Sequence, residues 1–121
     1  MRTIEKAHSL NFSAIDIGKD AKTAYSGSRD YSVKAWDTET GICKMEFSCP
    51  RNIVTVLKME LSGDRSLFQG SEDLSVRVWD TKSNSKQPSM LMNSFVYFPL
   101  SLSLHPDGNY MATGNQIYSF C

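Results

Sequence analysis

The sequence has few cysteines, and none of them are spaced to bind a metal. The three are Cys43, Cys49 and Cys121, an odd number with no C-x-x-C pair. We interpret them as free thiols in a reducing compartment. The segment Met1 to His8 lacks the apolar stretch of a secretory signal. We therefore expect an intracellular, cytoplasmic protein.

A surplus of one charge and long apolar runs are also absent. Lys and Arg total 13, as do Asp and Glu, whereas a nucleic-acid binder needs excess cations. The most apolar stretch, residues 90–104, contains Asn93 and Pro99 and falls short of the roughly 20 residues that cross a bilayer. We expect neither nucleic acid nor membrane as a partner. The 121 residues suit one domain or a few repeat units.

What the sequence does have is an internal repeat. Residues 26–38 and 69–81 are identical at eight of thirteen positions, at an offset of 43 residues. Trp36 and Trp79, the two tryptophans of the chain, fall in register. Chance is a poor explanation for this agreement.

A third and weaker copy follows. Gly114 lies 44 residues after Gly70, but Ile117 stands where the first two copies have Asp, and the Trp position lies beyond Cys121. We divide the chain into an N-terminal segment (1–6), a first unit (7–48), a second unit (49–92) and a partial third unit (93–121).

Each unit is predicted to form short strands separated by turns. The predicted strands are 12–17, 23–28, 33–37 and 42–47 in the first unit, and 53–60, 66–70, 75–80 and a segment between 89 and 98 in the second. Helical periodicity is poor throughout. Four strands in about 40–45 residues is the size of one propeller blade, so the predicted fold class is all-β.

Two segments carry a resemblance to a known family. Val33-Lys34-Ala35-Trp36-Asp37 and Val76-Arg77-Val78-Trp79-Asp80, each preceded by Gly-Ser-x-Asp, resemble the motifs of the WD-repeat family. The resemblance implies a β-propeller built from four-stranded antiparallel blades, of which this chain holds about two and a half. Residues 50–55, followed by 71–73, are similar to one group of relatives within the family.

The resemblance also implies a buried polar tetrad in the first unit, formed by His8, Ser26, Asp30 and Trp36. The chemistry is sound, because Asp30 can accept bonds from turn amides and the imidazole, and a buried indole N–H needs an acceptor. Losing one member leaves its partners unpaired, at about 1–3 kcal/mol per buried group.

The second unit departs from this pattern. At the same offset its equivalents are Arg51, Gln69, Asp73 and Trp79. Arg51 could pair with Asp73, although a guanidinium is harder to bury than an imidazole. We expect the second blade to be less rigid than the first. The direction in which Lys34 and its equivalent Arg77 point stays open.

Catalysis, metal binding and nucleotide binding find little support. Ser26, His8 and Asp30 superficially suggest a hydrolase triad, but no nucleophile elbow or oxyanion hole accompanies them. His105 is predicted to be a surface residue in a turn rather than a metal ligand. The segments around Gly27 and Gly70 lack the lysine that a phosphate-binding loop carries. We expect a non-enzyme without metal, cofactor or small-molecule substrate.

The function that these observations favour is a non-catalytic scaffold for protein–protein interactions. The resemblance implies that Arg29 and Glu72 lie on a rim where partners bind; a solvated turn charge is the alternative. Phe95, Tyr97 and Phe98 form an apolar cluster that either docks a partner or is covered by the next blade.

Two and a half blades cannot close a ring, since stacked units bury their apolar faces only against neighbours. We therefore expect a fragment or truncated form of a longer propeller. The alternative is a structural or regulatory fragment that pairs with, or completes, another propeller.

Overall fold

The regular elements of the described residues are β-strands. The computed structural model describes residues 3–4, 7–60, 65–83, 87–93, 95, 97–107 and 110–114, and the backbone of 117–119. In these residues eleven strands form three antiparallel sheets, which confirms the predicted fold class. The described part of the chain contains no helix long and apolar enough to span a membrane.

Two four-stranded sheets come first along the chain, and we call them blade 1 and blade 2. Blade 1 contains β1 (Phe12–Ile17), β2 (Thr23–Ser28), β3 (Ser32–Asp37) and β4 (Cys43–Ser48). Blade 2 contains β5 (Val54–Met59), β6 (Ser66–Ser71), β7 (Ser75–Asp80) and β8 (Met90–Met92). In both, the strands lie side by side in chain order. The first seven strands match their predicted bounds within one residue.

A third sheet contains β9 (Leu102–Leu104), β10 (Tyr110–Thr113) and β11 (Ile117–Ser119), with β10 in the middle. The three sheets fall within the three units of the sequence. The predictions on Cys121, and on the side chain of Ile117, lie outside the described residues.

Tight turns join β2 to β3 and β6 to β7 in the same way. The Asp30 carboxylate accepts a hydrogen bond from the Ser32 N–H at 3.0 Å, a local bond that favours a turn over continued strand. Tyr31 between them has a φ of 75°, and its equivalent Leu74 has a φ of 69°. Both turns therefore hold a non-glycine residue in the left-handed region.

The main core lies between the two blades. One face of blade 1 packs on the face of blade 2 that carries Trp79, and Phe47 stacks on the indole with ring centroids 4.8 Å apart. The buried side chains of this core are Tyr25, Val33, Ala35 and Phe47 from blade 1, and Val54, Leu57, Met59, Leu67 and Trp79 from blade 2. Full burial of a large apolar side chain contributes about 1.5–3 kcal/mol, so this interface holds the blades together.

A second, smaller core lies between blade 2 and the third sheet. Its buried members are Val76, Phe95, Leu102 and Met111. The predicted aromatic cluster is therefore divided: Phe95 is 6% exposed, while Tyr97 and Phe98 are 75% and 40% exposed. Phe95 has a packing role, and Tyr97 and Phe98 lie at the surface.

Glycine allows close packing at two equivalent positions: Gly27 meets the neighbouring sheet, and Gly70 meets its paired strand β5 and Pro99. A Cβ on Gly27 would lie 2.9 Å from the Cβ of Val54 in blade 2. A Cβ on Gly70 would lie 2.8 Å from Val56 Cγ1 and 2.9 Å from Pro99 Cγ. Real Cβ atoms do not come this close, so both positions need the absence of a side chain.

Candidate functional site

A hydrogen-bonded chain joins the four residues predicted as a tetrad in the first unit. His8 Nδ1 lies 3.0 Å from Asp30 Oδ2, and His8 Nε2 lies 2.7 Å from Ser26 Oγ. The Trp36 indole N–H donates to Ser26 Oγ at 2.8 Å. The structure thus connects the loop before β1 with strands β2 and β3 and the turn between them.

The donors and acceptors of this network fit one arrangement of hydrogens. Ser26 accepts from the indole and donates to His8 Nε2, while the hydrogen on Nδ1 goes to Asp30. Ser26 is 3% exposed and the His8 side chain is 1% exposed. A hydroxyl held beneath the surface in this way orders the blade and is poorly placed to attack a substrate.

Further hydrogen bonds surround the Asp30 carboxylate. Ser32 Oγ donates to Oδ1 at 2.5 Å, and the Ser9 N–H donates to Oδ2 at 3.1 Å. Burial acts to raise the pKa of Asp30, but the bonds from Ser32, His8 and Ser9 outweigh it and hold that pKa below its ordinary value. The carboxylate is therefore charged at neutral pH and ties the turn to the preceding loop.

Blade 2 holds a different network built around an amide pair. The side chains of Asn52 and Gln69 exchange two hydrogen bonds, of 3.0 and 2.7 Å. The Trp79 indole N–H donates to Gln69 Oε1 at 3.0 Å, and Arg77 donates to Asn52 Oδ1 at 2.9 Å. Asn52 and Gln69 are both fully buried, and each finds partners for its polar atoms.

The assignment of Arg51 to this network is wrong. Arg51 is exposed, with a φ of 63° in the loop before β5, and Asn52 occupies the buried position beside Gln69. A fixed offset of 43 residues assumes loops of equal length. Asn52 lies 44 residues after His8, whereas β5 begins only 42 residues after β1, so the loops differ and the offset fails there.

Asp73 pairs with Arg77 rather than with Arg51. Arg77 NH2 lies 2.6 Å from Asp73 Oδ2, and its NH1 also donates to Ser75 Oγ at 2.7 Å. Burial acts to raise the pKa of Asp73, but the bonds from Arg77 and Ser75 and the charge of Arg77 hold it below its ordinary value.

Burial raises the pKa of the nearby Cys49 thiol, which favours the unreactive form.

Sequence reasoning missed three members of the two hydrogen-bond networks: Arg77 and the turn serines Ser32 and Ser75. Ser32 and Ser75 each donate to the turn aspartate two residues earlier. Their signal was present, since serine is identical at this position in both units. The equivalent of Arg77 in blade 1, Lys34, donates instead to the backbone oxygen of Ala7 at 2.8 Å.

The two networks differ in how deeply they are buried, because only one of them lies on a face between the blades. Strand pairing places Gln69, Arg77 and Trp79 on the face of blade 2 that packs on blade 1. The same pairing places Ser26 and Trp36 on the opposite face of blade 1, on which none of the described sheets packs. The lower rigidity expected for blade 2 stays a prediction, but its network is the more deeply buried of the two.

Arg29 and Glu72, the predicted contact residues, meet each other across the blades. Arg29 NH1 lies 3.4 Å from Glu72 Oε1, and the side chains of Arg29 and Glu72 are 54% and 35% exposed. An exposed pair of this kind contributes about 0–1 kcal/mol, so a partner can displace it at little cost. The two residues therefore form one ion pair that joins the blades, and their role as partner contacts stays a prediction.

No group of metal-binding side chains is assembled in the described ranges. Cys43 and Cys49 are free thiols. His105 is exposed and lies 2.9 Å from Asp107 in its own turn.

Comparison with known families gives one match. Residues 1–37 match the family described as WD domain, G-beta repeat, and this range holds the whole network of His8, Ser26, Asp30 and Trp36. No curated protein matches the chain. The narrower similarity of residues 50–55 to WD repeat-containing protein thirty-one therefore stays a prediction.

Proposed function

We propose, from the premise that this chain is a member of the WD-repeat family, that it is a non-catalytic scaffold for protein–protein interactions and forms part of a longer propeller. WD repeats generally mediate contacts between proteins and generally belong to non-catalytic scaffolds. Support for the longer propeller comes from the face of blade 1 that points away from blade 2. We call it the open face, and it carries Phe12, Ile15, Ile17, Ala24 and Trp36.

The open face is the repeat equivalent of a face that is buried in blade 2. Ile15 is 71% exposed and Ile17 is 56% exposed, whereas their equivalents Leu57 and Met59 are each 3% exposed. The positions correspond because Ile15 pairs with Ser26 and Leu57 pairs with Gln69. The difference arises because blade 1 covers blade 2, while no described residue covers the open face in the same way.

This observation carries the proposal. Apolar surface removed from water contributes about 25 cal/mol per Å², so a neighbour seated on Ile15 and Ile17 would gain the stabilisation that Leu57 and Met59 already provide. The neighbour that fits is a blade with a face like that of blade 1, which carries Tyr25. A longer propeller supplies such a blade.

The same open face favours a second candidate. A blade from another WD-repeat protein has the same chemistry, so the chain would then pair with, or complete, a different propeller. The two candidates differ in the partner: the first predicts unrelated proteins bound to the rim, and the second predicts a WD-repeat protein on the open face.

Affinity capture with quantitative mass spectrometry distinguishes them. The bait is the full chain, compared with an open-face variant, Ile15→Lys with Ile17→Lys, and with a matched variant, Ile42→Lys with Leu100→Lys, whose residues are 64% and 70% exposed elsewhere. A WD-repeat protein lost only from the open-face variant supports the second candidate. Unrelated proteins kept by both variants support the scaffold, and a bait that enriches nothing contradicts both.

The size of the endogenous protein tests the longer propeller. Immunoprecipitation with an antibody to the first unit, followed by intact mass measurement, should give a protein heavier than 13.6 kDa. Peptides with further Trp-Asp motifs should accompany it. A mature protein of 13.6 kDa that unfolds cooperatively as a monomer would contradict this part of the proposal.

The proposal also names a compartment and the kinds of partner. The free thiols Cys43 and Cys49 support an intracellular, cytoplasmic location. The balanced charge of the chain supports protein partners and gives no support for nucleic acid. Imaging of the tagged chain tests the location.

A further inference from the structure

A cleft between blade 1 and blade 2 gathers three of the lysines of the chain. Lys22 comes from the turn between β1 and β2, Lys44 from β4, and Lys82 from the turn after β7. The hydroxyl-bearing residues Thr23 and Thr81 line the same cleft. Three separate elements thus bring positive side chains to one concave place.

The carboxylates around the cleft leave it with a net positive charge. Asp20 is the one acidic residue among the described residues that line it, and it accepts a bond from the Lys22 backbone N–H at 2.9 Å. Asp80, next to Lys82, is paired with Arg65 at 2.9 Å. The lining therefore carries three positive charges and one negative charge, while the chain as a whole is neutral.

The environment of Lys44 also includes a carboxylate outside the lining. Lys44 lies near enough to Asp37 to help lower its pKa, after the bonds to Asp37 from the Thr40 and Glu39 N–H groups. Asp37 is already occupied by those two bonds, at 3.0 and 2.8 Å. Its negative charge therefore offsets part of the positive charge of Lys44, although Asp37 itself lies outside the lining.

One of the lysines is already oriented. Lys44 Nζ donates to Thr23 Oγ1 at 2.7 Å, and Thr23 is 9% exposed. An ammonium has three hydrogens, so two stay available to a ligand. The bond to Thr23 holds the Lys44 side chain in place before a ligand arrives, so less side-chain entropy is lost on binding.

We propose that this lysine cleft binds a phosphorylated serine or threonine of a partner protein. A phosphoryl group carries about −1.5 to −2 charges at neutral pH and has three strong acceptor oxygens, which match the ammonium groups of Lys22, Lys44 and Lys82. Lysine binds phosphate as a compact point charge. This inference rests on the proposed scaffold function and names the chemistry of one partner.

The cleft is complete within this chain. Tyr25, Ala35 and Met45 line it from the face of blade 1 that meets blade 2, and Thr81 lies at the end of β7. A further blade on the open face would pack on the opposite side of blade 1. The lysine cleft therefore stays accessible whether the chain acts alone or within a longer propeller.

Fluorescence anisotropy with a labelled nine-residue peptide tests the proposal. The peptide has a central phosphoserine, and the same peptide with serine serves as its control. The full chain should bind the phosphorylated form at least about tenfold more tightly, with an affinity that falls as salt rises. Lys22→Gln with Lys82→Gln should remove most of that preference, and Lys22→Arg with Lys82→Arg should restore it.

A charge-matched variant, Lys19→Gln with Lys58→Gln, removes two exposed lysines outside this cleft. It should leave binding within about twofold, and circular dichroism should show each variant folded. Equal losses in both glutamine variants would overturn the proposal, because the attraction would then be general.

Three further results would overturn it. The first is no phosphopeptide binding by the folded chain. The second is inorganic phosphate competing at the same concentration as the phosphopeptide, which would make this an ion site without a peptide partner. The third is a nine-nucleotide single-stranded RNA that binds more tightly with the same lysine dependence. Partners captured equally by wild type and the cleft variant would leave the scaffold intact while overturning the cleft, so the two failures are distinguishable.

Discussion

Phe47 of blade 1 stacks on Trp79 of blade 2, with ring centroids 4.8 Å apart and an angle of 23° between the rings. Trp79 is fully buried. Its repeat equivalent Trp36 is half-buried on the open face, with the Lys34 ammonium 5.9 Å from its ring. Two equivalent indoles thus have different surroundings, because one lies between blades and the other lies at an uncovered face.

Acrylamide quenching of tryptophan fluorescence should report this difference. A Trp36→Phe variant emits from Trp79 alone, and a Trp79→Phe variant emits from Trp36 alone. We expect the emission of Trp36 to be quenched several times more strongly, because the quencher can reach a half-buried ring. Equal quenching in the folded variants would contradict the assigned packing, and added partner that protects Trp36 would identify an occupant of the open face.

A Cβ at Gly27 should disturb the contact between the blades. Gly27→Ala would place its methyl against Val54, whereas Gly114→Ala, at the equivalent position of the third unit, would meet its nearest neighbour at 3.4 Å. Overpacking costs about 1–3 kcal/mol, so Gly27→Ala should lower the free energy of unfolding by that amount. Gly114→Ala should change it by less than about 0.5 kcal/mol.

Urea unfolding followed by circular dichroism measures both glycine variants. Equal stability of Gly27→Ala and wild type would show that the two blades are farther apart than the structure places them.

The strands were predictable because their signals are local. Alternating apolar residues and turn residues fix β2 and β3 directly, and the repeat transfers the assignment to β6 and β7. The residues from Ser26 to Trp36 could be placed together for the same reason, since the repeat fixes their spacing within one pair of strands.

The network of blade 2 was less predictable because it depends on loop length and on packing. Asn52, and not Arg51, takes the buried position because the loop before β5 differs in length from the loop before β1. A constant repeat offset of 43 residues does not detect such a difference. Arg77 turns inward because its partners Asp73 and Asn52 lie there, whereas Lys34 reaches the backbone of Ala7. These outcomes depend on which face another blade covers, and that information is not local in sequence.

Substitutions at neighbouring positions should separate Asn52 from Arg51. Asn52→Ala removes the partner of Gln69 and one acceptor of Arg77 inside the core, and leaving a buried polar group unsatisfied costs about 1–3 kcal/mol. Arg51→Ala changes an exposed side chain and should stay within about 0.5 kcal/mol. The check is the midpoint of urea unfolding for each variant, and a larger loss for Arg51→Ala would restore the assignment made from the fixed offset.

The stability of the protein should fall in acid because two turn carboxylates have lowered pKa values. Asp30 and Asp73 both titrate below the ordinary value of 3.8 in the folded chain, while unfolding returns them to it. The folded state therefore binds fewer protons, and the stabilisation is fully present above about pH 4. It is lost as the pH falls through the folded pKa values. Urea midpoints between pH 6 and pH 2.5 should decline mainly below pH 4.

Asp73→Asn provides the variant that tests the source of this decline. It should lower stability at pH 6, because Arg77 loses its charged partner, and it should flatten the decline below pH 4, because one of the groups with a lowered pKa is gone. Asp20→Asn removes an exposed carboxylate whose main contact is local and should keep the wild-type profile. A profile for Asp73→Asn as steep as that of wild type would mean that other carboxylates cause the acid sensitivity, and the Asp73–Arg77 pair would then have no part in it.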